Sequence, residues 1–320
     1  MQAYVARRLI LGALTGVLVS LLIFIILRVA PGDVALMLAL QEGGEQARIT
    51  TEQLERIREQ LGLNVPLPMQ YFNWVRDIVV LEWGESMFGA GSVWEGFKTK
   101  MPVTLELVLM TIFIATVVGI PAGIIMAMNQ DTWIDYVVRV ITLAGLSVPN
   151  FWTATLLLVG GMYLLDWNPR LGYVRLFDDP VANLSQFIWP ALVLAFYGTA
   201  SYSRMMRSTM LEVLRQDYIR TAHAKGLRSL VVTYRHALKN ALIPVITVIG
   251  VSFALTMGGS VIMERIFNLP GIGNFLIEGM NNRDYPVVQS LVLVFAMWVV
   301  LVNLVVDLAY GWLDPRIRYD

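Results

Sequence analysis

Apolar runs of about 20 residues or more recur along this chain, and such runs leave the backbone little choice. In hydrocarbon every N–H and C=O must be satisfied without water, so a single segment that crosses a membrane does so as a helix. Six runs fit, near residues 9–28, 102–128, 134–165, 187–210, 237–263 and 286–312. They predict an all-α polytopic membrane protein with six spans. The composition agrees, at 57% hydrophobic and 15% charged residues, where a soluble domain carries about 25% charge. The first run follows Arg7 and Arg8, extends from Leu9 to Leu27 and ends at Arg28 and Pro31. It exceeds the apolar core of a secretory signal, about 7–15 residues, and reads as an uncleaved span.

Charge sets the expected orientation. Eight of the chain's 24 Lys and Arg residues fall between Arg204 and Lys239, joined there only by the acids Glu212 and Asp217. Cytoplasmic loops collect such positive charge, so this loop and the N-terminus with Arg7 and Arg8 are placed inside. The stretch from Ala30 to Met101 is placed outside and carries ten acids against six bases. Cysteine is absent and both histidines lie in the basic loop. That excludes disulfides and thiolate chemistry and gives no support to a His-rich metal site.

The outer stretch carries its own helix signals. Thr50 or Thr51 can cap a helix through TEQLERIREQLGL, with Leu54, Ile57 and Leu61 on one face, Gly62 at its end and Pro66 and Pro68 beyond. A second helix from Pro68 to Val80 presents Tyr71, Trp74, Val75 and Ile78 to a membrane face. Within the spans, Gly119, Pro121 and Gly123 are expected to interrupt the second, Pro149 to break the third, Pro190 to open the fourth, and Pro244 to lie near the start of the fifth. Small residues from Gly250 to Ser260 suit close helix packing. Few ionisable groups fall at membrane depth, so the spans read as the wall of a passage and not as a charge relay.

The basic loop has readable physics of its own. Glu212 to Arg220 and Thr221 to Leu227 suit two short helices, with Leu211, Leu214, Tyr218 and Ile219 as an apolar stripe and Arg215, Arg220 and Lys225 in water. Gly226 can turn the backbone or admit a close contact. An interfacial helix held by anionic lipid would share these features. The segment DYIRTAHAKGLRSLVVTYRHALKNALIPV, Asp217 to Val245, also resembles the cytoplasmic "EAA" loop of binding-protein-dependent ABC transporter permeases. It is most similar to the dipeptide, oligopeptide and nickel permease family. The glycine of that motif falls on Gly226, its acid-Ala-Ala part on Arg220, Thr221 and Ala222, and its later part on His236, Asn240 and Pro244. RVAPGD at 28–33, LGLNVPLPMQYFNWV at 61–75, LSVPNFW at 146–152 and ERIFNLPGIGNFL at 264–276 resemble further family signatures in the same order. LEWGESMF at 81–88 departs locally, with Glu82 and Trp83 where an Asp-Leu pair is common.

The resemblance implies the transmembrane domain of a type I ABC importer, with six helices and an ordered outer segment after the first. It implies a cytoplasmic N-terminus and first span over residues 1–28, an external segment over 29–101 and a permease core over 102–320, with a coupling loop near 204–239. Arg220, Thr221, Ala222, Lys225, Gly226, Leu227, His236, Asn240 and Pro244 would then meet an ATPase. The implied partners are a homologous second permease, two cytoplasmic ATPases, an extracytoplasmic solute-binding protein and the bilayer, with no nucleic acid. The sequence holds no G-x-x-x-x-G-K-[ST] phosphate loop. No cofactor is expected on this chain, and ATP and Mg belong to the partners; the chain is expected to be a transport subunit and not an enzyme. The implied setting is a bacterial or archaeal cytoplasmic membrane with both termini inside. Peptides are the expected cargo, with nickel or another small solute as the alternative; a nucleotide-independent channel or a scaffold is the reading from a different class. Ser147, Asn150, Thr153, Thr247 and Met257 are candidates for the translocation path. Phe267, Pro270, Gly271, Ile272 and Gly273 are candidates for an outer gate that folds back on the mouth and on the partner permease.

Overall fold

The computed structural model describes residues 2–29, 36, 39, 50–60, 62–89, 91–167 and 172–313. Ala30 to Asp33, Glu42, Glu45, Arg48 and the chain beyond Leu313, with the expected inside C-terminus, lie outside them. The helices are α1 Gln2–Val29, α2 Thr51–Gln60, α3 Leu67–Val79, α4 Val93–Met128, α5 Trp133–Ser147, α6 Asn150–Leu165, α7 Pro180–Leu214 and α8 Asp217–Ala224. There follow α9 Leu238–Ile266, entered through the single turn Ser229–Val231 and a π turn Val232–Ala237, then α10 Ile272–Asn282 and α11 Tyr285–Leu313. Among the described residues the only extended pairing is an isolated bridge between Glu85 and Ser92. The protein is an all-α polytopic membrane protein. Five helical stretches are long and apolar enough to cross a membrane, and α5 with α6 make a sixth if counted together.

That sixth element differs from a single span at 134–165. The helix direction changes by 100° between Trp133–Ser147 and Asn150–Leu164. Proline disfavours helical backbone in the residue before it; Val148, before Pro149, is extended at φ −107° and ψ 126°, and Pro149 becomes the N-cap of α6. The 15 residues of α5 rise only about 22 Å as a helix, short of the roughly 30 Å hydrocarbon core.

Other helix ends follow local chemistry. Pro190 lies inside α7 and does not open it; the start is at Pro180, where the Asp179 side chain accepts hydrogen bonds from the Val181 and Ala182 N–H groups. Gly119, Pro121 and Gly123 do not interrupt α4, which runs unbroken to Met128. The glycines instead bring α4 close to α7, since a methyl on Gly123 would fall 2.5 Å from Met206 Cβ and 2.6 Å from the Ser203 carbonyl. Of the two expected caps, Thr50 and Thr51, it is Thr50 that caps α2. Gln53 N–H donates to Thr50 Oγ1, and Gln53 Oε1 accepts from Thr50 N–H.

The chain forms two compact units. The first comprises Met1–Leu9, Pro102–Asn274 and Leu301–Asp320. Its apolar core joins Val103 and Leu107 of α4, Ala154 of α6, Phe187 and Ala191 of α7, and Met263 of α9 with Phe267 and Leu269 beyond it. A second cluster gathers Met206 and Met210 with Ile219, Ala222, Ala241 and Val245. The second unit comprises Ile10–Met101 and Phe275–Val300. There Phe24 of α1 packs on Tyr71 and Trp74 of α3, with Tyr71 Oη and Ser20 Oγ 2.8 Å apart. Trp83, Trp94 and Phe97 form another aromatic group.

Candidate functional site: an exposed turn, a closed loop and a small cavity

The segment between α7 and α9 divides differently from the two helices expected over 212–227. Helix α7 carries through to Leu214, the break falls at Arg215 and Gln216, and α8 begins at Asp217. Ile219 and Ala222 are buried under α8, while Arg220, Thr221, Lys225 and Leu227 are exposed. Arg220 pairs with Asp217 at 3.4 Å, and Thr221 Oγ1 donates to the Asp217 carbonyl. The helix closes by a pair of backbone bonds, from Gly226 N–H to the His223 carbonyl at 2.9 Å and from Leu227 N–H to the Ala222 carbonyl at 3.4 Å. This pattern needs left-handed backbone at its pivot, and Gly226 has φ +79°. A Cβ there would meet nothing within 4 Å, so within this chain the glycine answers to backbone conformation and not to a close contact. Asn240 Nδ2 donates to Tyr218 Oη at 2.8 Å, tying α8 to α9. His236 lies half-buried in the π turn, and Pro244 is inside α9, where it cannot donate to the Asn240 carbonyl.

Two buried carboxylates lie near helix ends, neither of them singled out from the sequence. Asp135, at the start of α5, has no exposed surface and pairs with Arg207 of α7 at 2.7 Å and Arg139 at 2.6 Å. Its Oδ2 also accepts from the Asp131 N–H. Both carboxylate oxygens are engaged by Arg207, through Nε and Nη2, a bidentate geometry that fixes both side chains. Sequence reading passed over the pair because its members are 72 positions apart. An arginine inside an apolar helix was the available signal.

Glu264, near the end of α9, is fully buried. Its Oε1 accepts from Thr104 Oγ1 at 2.6 Å and its Oε2 from the Asn274 N–H at 3.0 Å. Thr104 Oγ1 in turn accepts from the Ile272 N–H. The segment from Phe267 to Gly273 therefore wraps around one carboxylate. Methyl groups on Gly271 and Gly273 would run into the Glu264 carboxyl, and that on Gly273 also into Val261 Cα at 2.6 Å. The loop folds back onto its own chain. Phe267, Leu269 and Ile272 are each 3% exposed or less, so the apolar face assigned to a partner permease is already used here. Pro270 is half-buried.

The five candidates for a translocation path are not brought together. Ser147, Thr153 and Thr247 donate their hydroxyls to the Leu143, Pro149 and Ile243 carbonyls of their own helical turns, and Met257 is buried. Asn150 alone reaches a cavity of about 190 Å³, lined also by Thr111, Ala115, Tyr197, Tyr202, Ser252 and Thr256. Thr111, Tyr197 and Tyr202 were missed because each sits in an otherwise apolar run, where period does not tell a cavity wall from a helix contact.

Helices long and apolar enough to cross a membrane, with an exposed basic turn between two of them, make this a polytopic membrane protein. The sequence profile of the family described as "Binding-protein-dependent transport system inner membrane component" matches residues 119–319, and that of its N-terminal region matches residues 1–108. The chain belongs to this family and is a transport component, not an enzyme. It is 40% identical to the di/tripeptide transport system permease protein DppB of Pseudomonas aeruginosa over 344 residues, covering all of both chains. It is 39% identical to the dipeptide transport system permease protein DppB of Alkalihalophilus pseudofirmus over 339 residues, again covering all of both. With DppB of Escherichia coli the identity is 37% over 345 residues, covering 100% of this chain and 99% of that one. Among solved structures, an amino acid ABC transporter with histidines shares the fold at a TM-score of 0.52 and 14% identity, over 67% of this chain and 92% of that one.

Proposed function

We propose that this chain is one of two membrane subunits of an ATP-driven importer that moves peptides handed over by an extracytoplasmic binding protein. Full-length similarity to permeases named for dipeptide and di/tripeptide transport supports peptides over nickel. The observation that carries the mechanism is the exposed turn at Gly226. Helix α8 presents Arg220, Thr221 and Lys225 to solvent, and Tyr218, Leu227 and Leu230 add exposed apolar surface around it. In this reading α8 and the turn seat in a groove of a cytoplasmic ATPase. Closure of the ATPase pair then moves α7 and α9, which pack on one another, between two arrangements. ATP and Mg stay with the ATPases, the second permease completes the passage, and the N-terminus and the Gly226 turn face the cytoplasm.

Replacing Gly226 by leucine tests the coupling. The side chain forces an L-residue into left-handed backbone, at about 1–2 kcal/mol, and projects into the space an ATPase would fill. Transport and binding-protein-stimulated ATP hydrolysis in the assembled complex should fall together while membrane insertion is retained. Normal stimulation by the Gly226→Leu complex would refute the assignment. Cysteine labelling in sealed cells at Arg228 and Glu52 should give opposite sidedness.

A further inference from the structure

The cavity beside Asn150 has an unusual wall. Its twelve lining residues include no Asp, Glu, Lys, Arg or His, yet six carry side-chain hydrogen-bonding groups. Two of these are committed, since Thr111 Oγ1 donates to the Leu107 carbonyl and Thr256 Oγ1 to the Ser252 carbonyl. Tyr202 is the exception that matters. Its side chain is fully buried, and its Oη has no hydrogen-bond partner. Ser252 is a neighbouring hydroxyl in the same wall, yet Tyr202 Oη makes no bond that meets hydrogen-bond geometry. A buried hydroxyl left unpaired is destabilising, so a group that persists in this state in a polar-walled cavity is poised for something that enters.

We propose that this cavity is a contact point for the translocated peptide, where Tyr202 Oη donates a hydrogen bond to a main-chain carbonyl. The inference rests on the peptide reading given above and names a site for it. The chemistry of the wall sets what can enter. An ionised side chain or peptide terminus would lose water and find no counter-charge, whereas an amide finds a donor and acceptors. The volume sets how much can enter. Sites that enclose a whole small ligand span about 300–1,000 Å³, so 190 Å³ holds one residue of a peptide and not the whole of it. Tyr197 and Leu255, both half or more exposed, form the open rim through which the rest would stay outside. Gly259 keeps part of the wall low, and a methyl there would meet only Leu194 Cδ2, at 3.7 Å.

The test uses the assembled transporter in proteoliposomes with its binding protein loaded with trialanine or trileucine. Tyr202→Phe removes one oxygen that bonds to nothing in this chain, so the melting temperature should be unchanged or raised. Maximal peptide uptake should nevertheless fall roughly five- to tenfold, the worth of one lost hydrogen bond. Gly259→Leu fills the cavity and should reduce trileucine uptake more than trialanine uptake. Unaltered uptake and preference in both variants would overturn the proposal and leave the peptide reading standing. A lowered melting temperature in Tyr202→Phe would also overturn it, because the hydroxyl would then have a structural partner. If the unaltered complex moves neither peptide while importing another solute, the peptide reading fails first and the proposal falls with it.

Discussion

Two turns close helices in the same unit of this molecule, and they are built on opposite plans. The turn at Gly226 is held by backbone bonds and lies open, with nothing of this chain where its side chain would go. The turn after α9 shares the longer of those bonds, from Leu269 N–H to the Glu264 carbonyl at 2.8 Å, yet its pivot is Asn268 at φ +52° and not a glycine. Its shape comes from inside, through one buried carboxylate that gathers Thr104, Ile272 through Thr104, and Asn274. The open turn is complete without a tertiary neighbour, and its exposed face is free for another protein. The closed turn is part of the core and has little surface left to offer. Exposure and burial, more than residue type, separate the two turns.

The sharpest way to break this comparison is Glu264→Ala. It strands the Thr104 hydroxyl and the Asn274 N–H in the core, and should cost about 3–5 kcal/mol. The expected readout is a large loss of melting temperature in detergent and poor accumulation in the membrane. A well-folded Glu264→Ala protein would mean that the loop is held by its apolar contacts alone. Asp135→Ala should cost about 3 kcal/mol by leaving Arg207 without its bidentate partner, and Arg207→Met with Asp135→Leu should recover part of it. A double-mutant cycle in thermal unfolding measures the coupling.

Smaller steps sharpen the contrast between the turns. Gly271→Ala presses a methyl against the Glu264 carboxyl and should cost about 1–3 kcal/mol, seen as a lowered melting temperature. Gly226→Ala introduces the same methyl into open space, so only the left-handed backbone resists it, at about 1 kcal/mol. The melting temperature should fall less than for Gly271→Ala, while ATPase stimulation should suffer more than stability does. Equal losses of melting temperature at the two glycines would erase the distinction. The least effect is expected from Ser147→Ala and Thr247→Ala, whose hydroxyls only return to their own helices. Uptake near that of the unaltered complex is expected from both.

Some of this was fixed along the chain. The spans, the cap at Thr50, the break at Pro149, the turn at Gly226 and the fold class all rest on interactions within about four residues or on the demand of hydrocarbon for helix. They were therefore legible in the sequence, as was the family resemblance of the segment from Asp217 to Val245. Tertiary structure alone decided that α5 and α6 diverge by 100° and that Gly123 is needed for contact with α7 and not for a bend. It alone joined Asp135 to Arg207 across 72 positions and Thr104 to Glu264 across 160. It also placed Tyr202 beside Asn150 in one cavity while leaving Ser147, Thr153, Thr247 and Met257 outside it. The physical reason is that a side chain's partner is chosen by packing. A helix in a membrane is apolar on every face, so its sequence does not say which face meets a neighbour, a cavity or lipid.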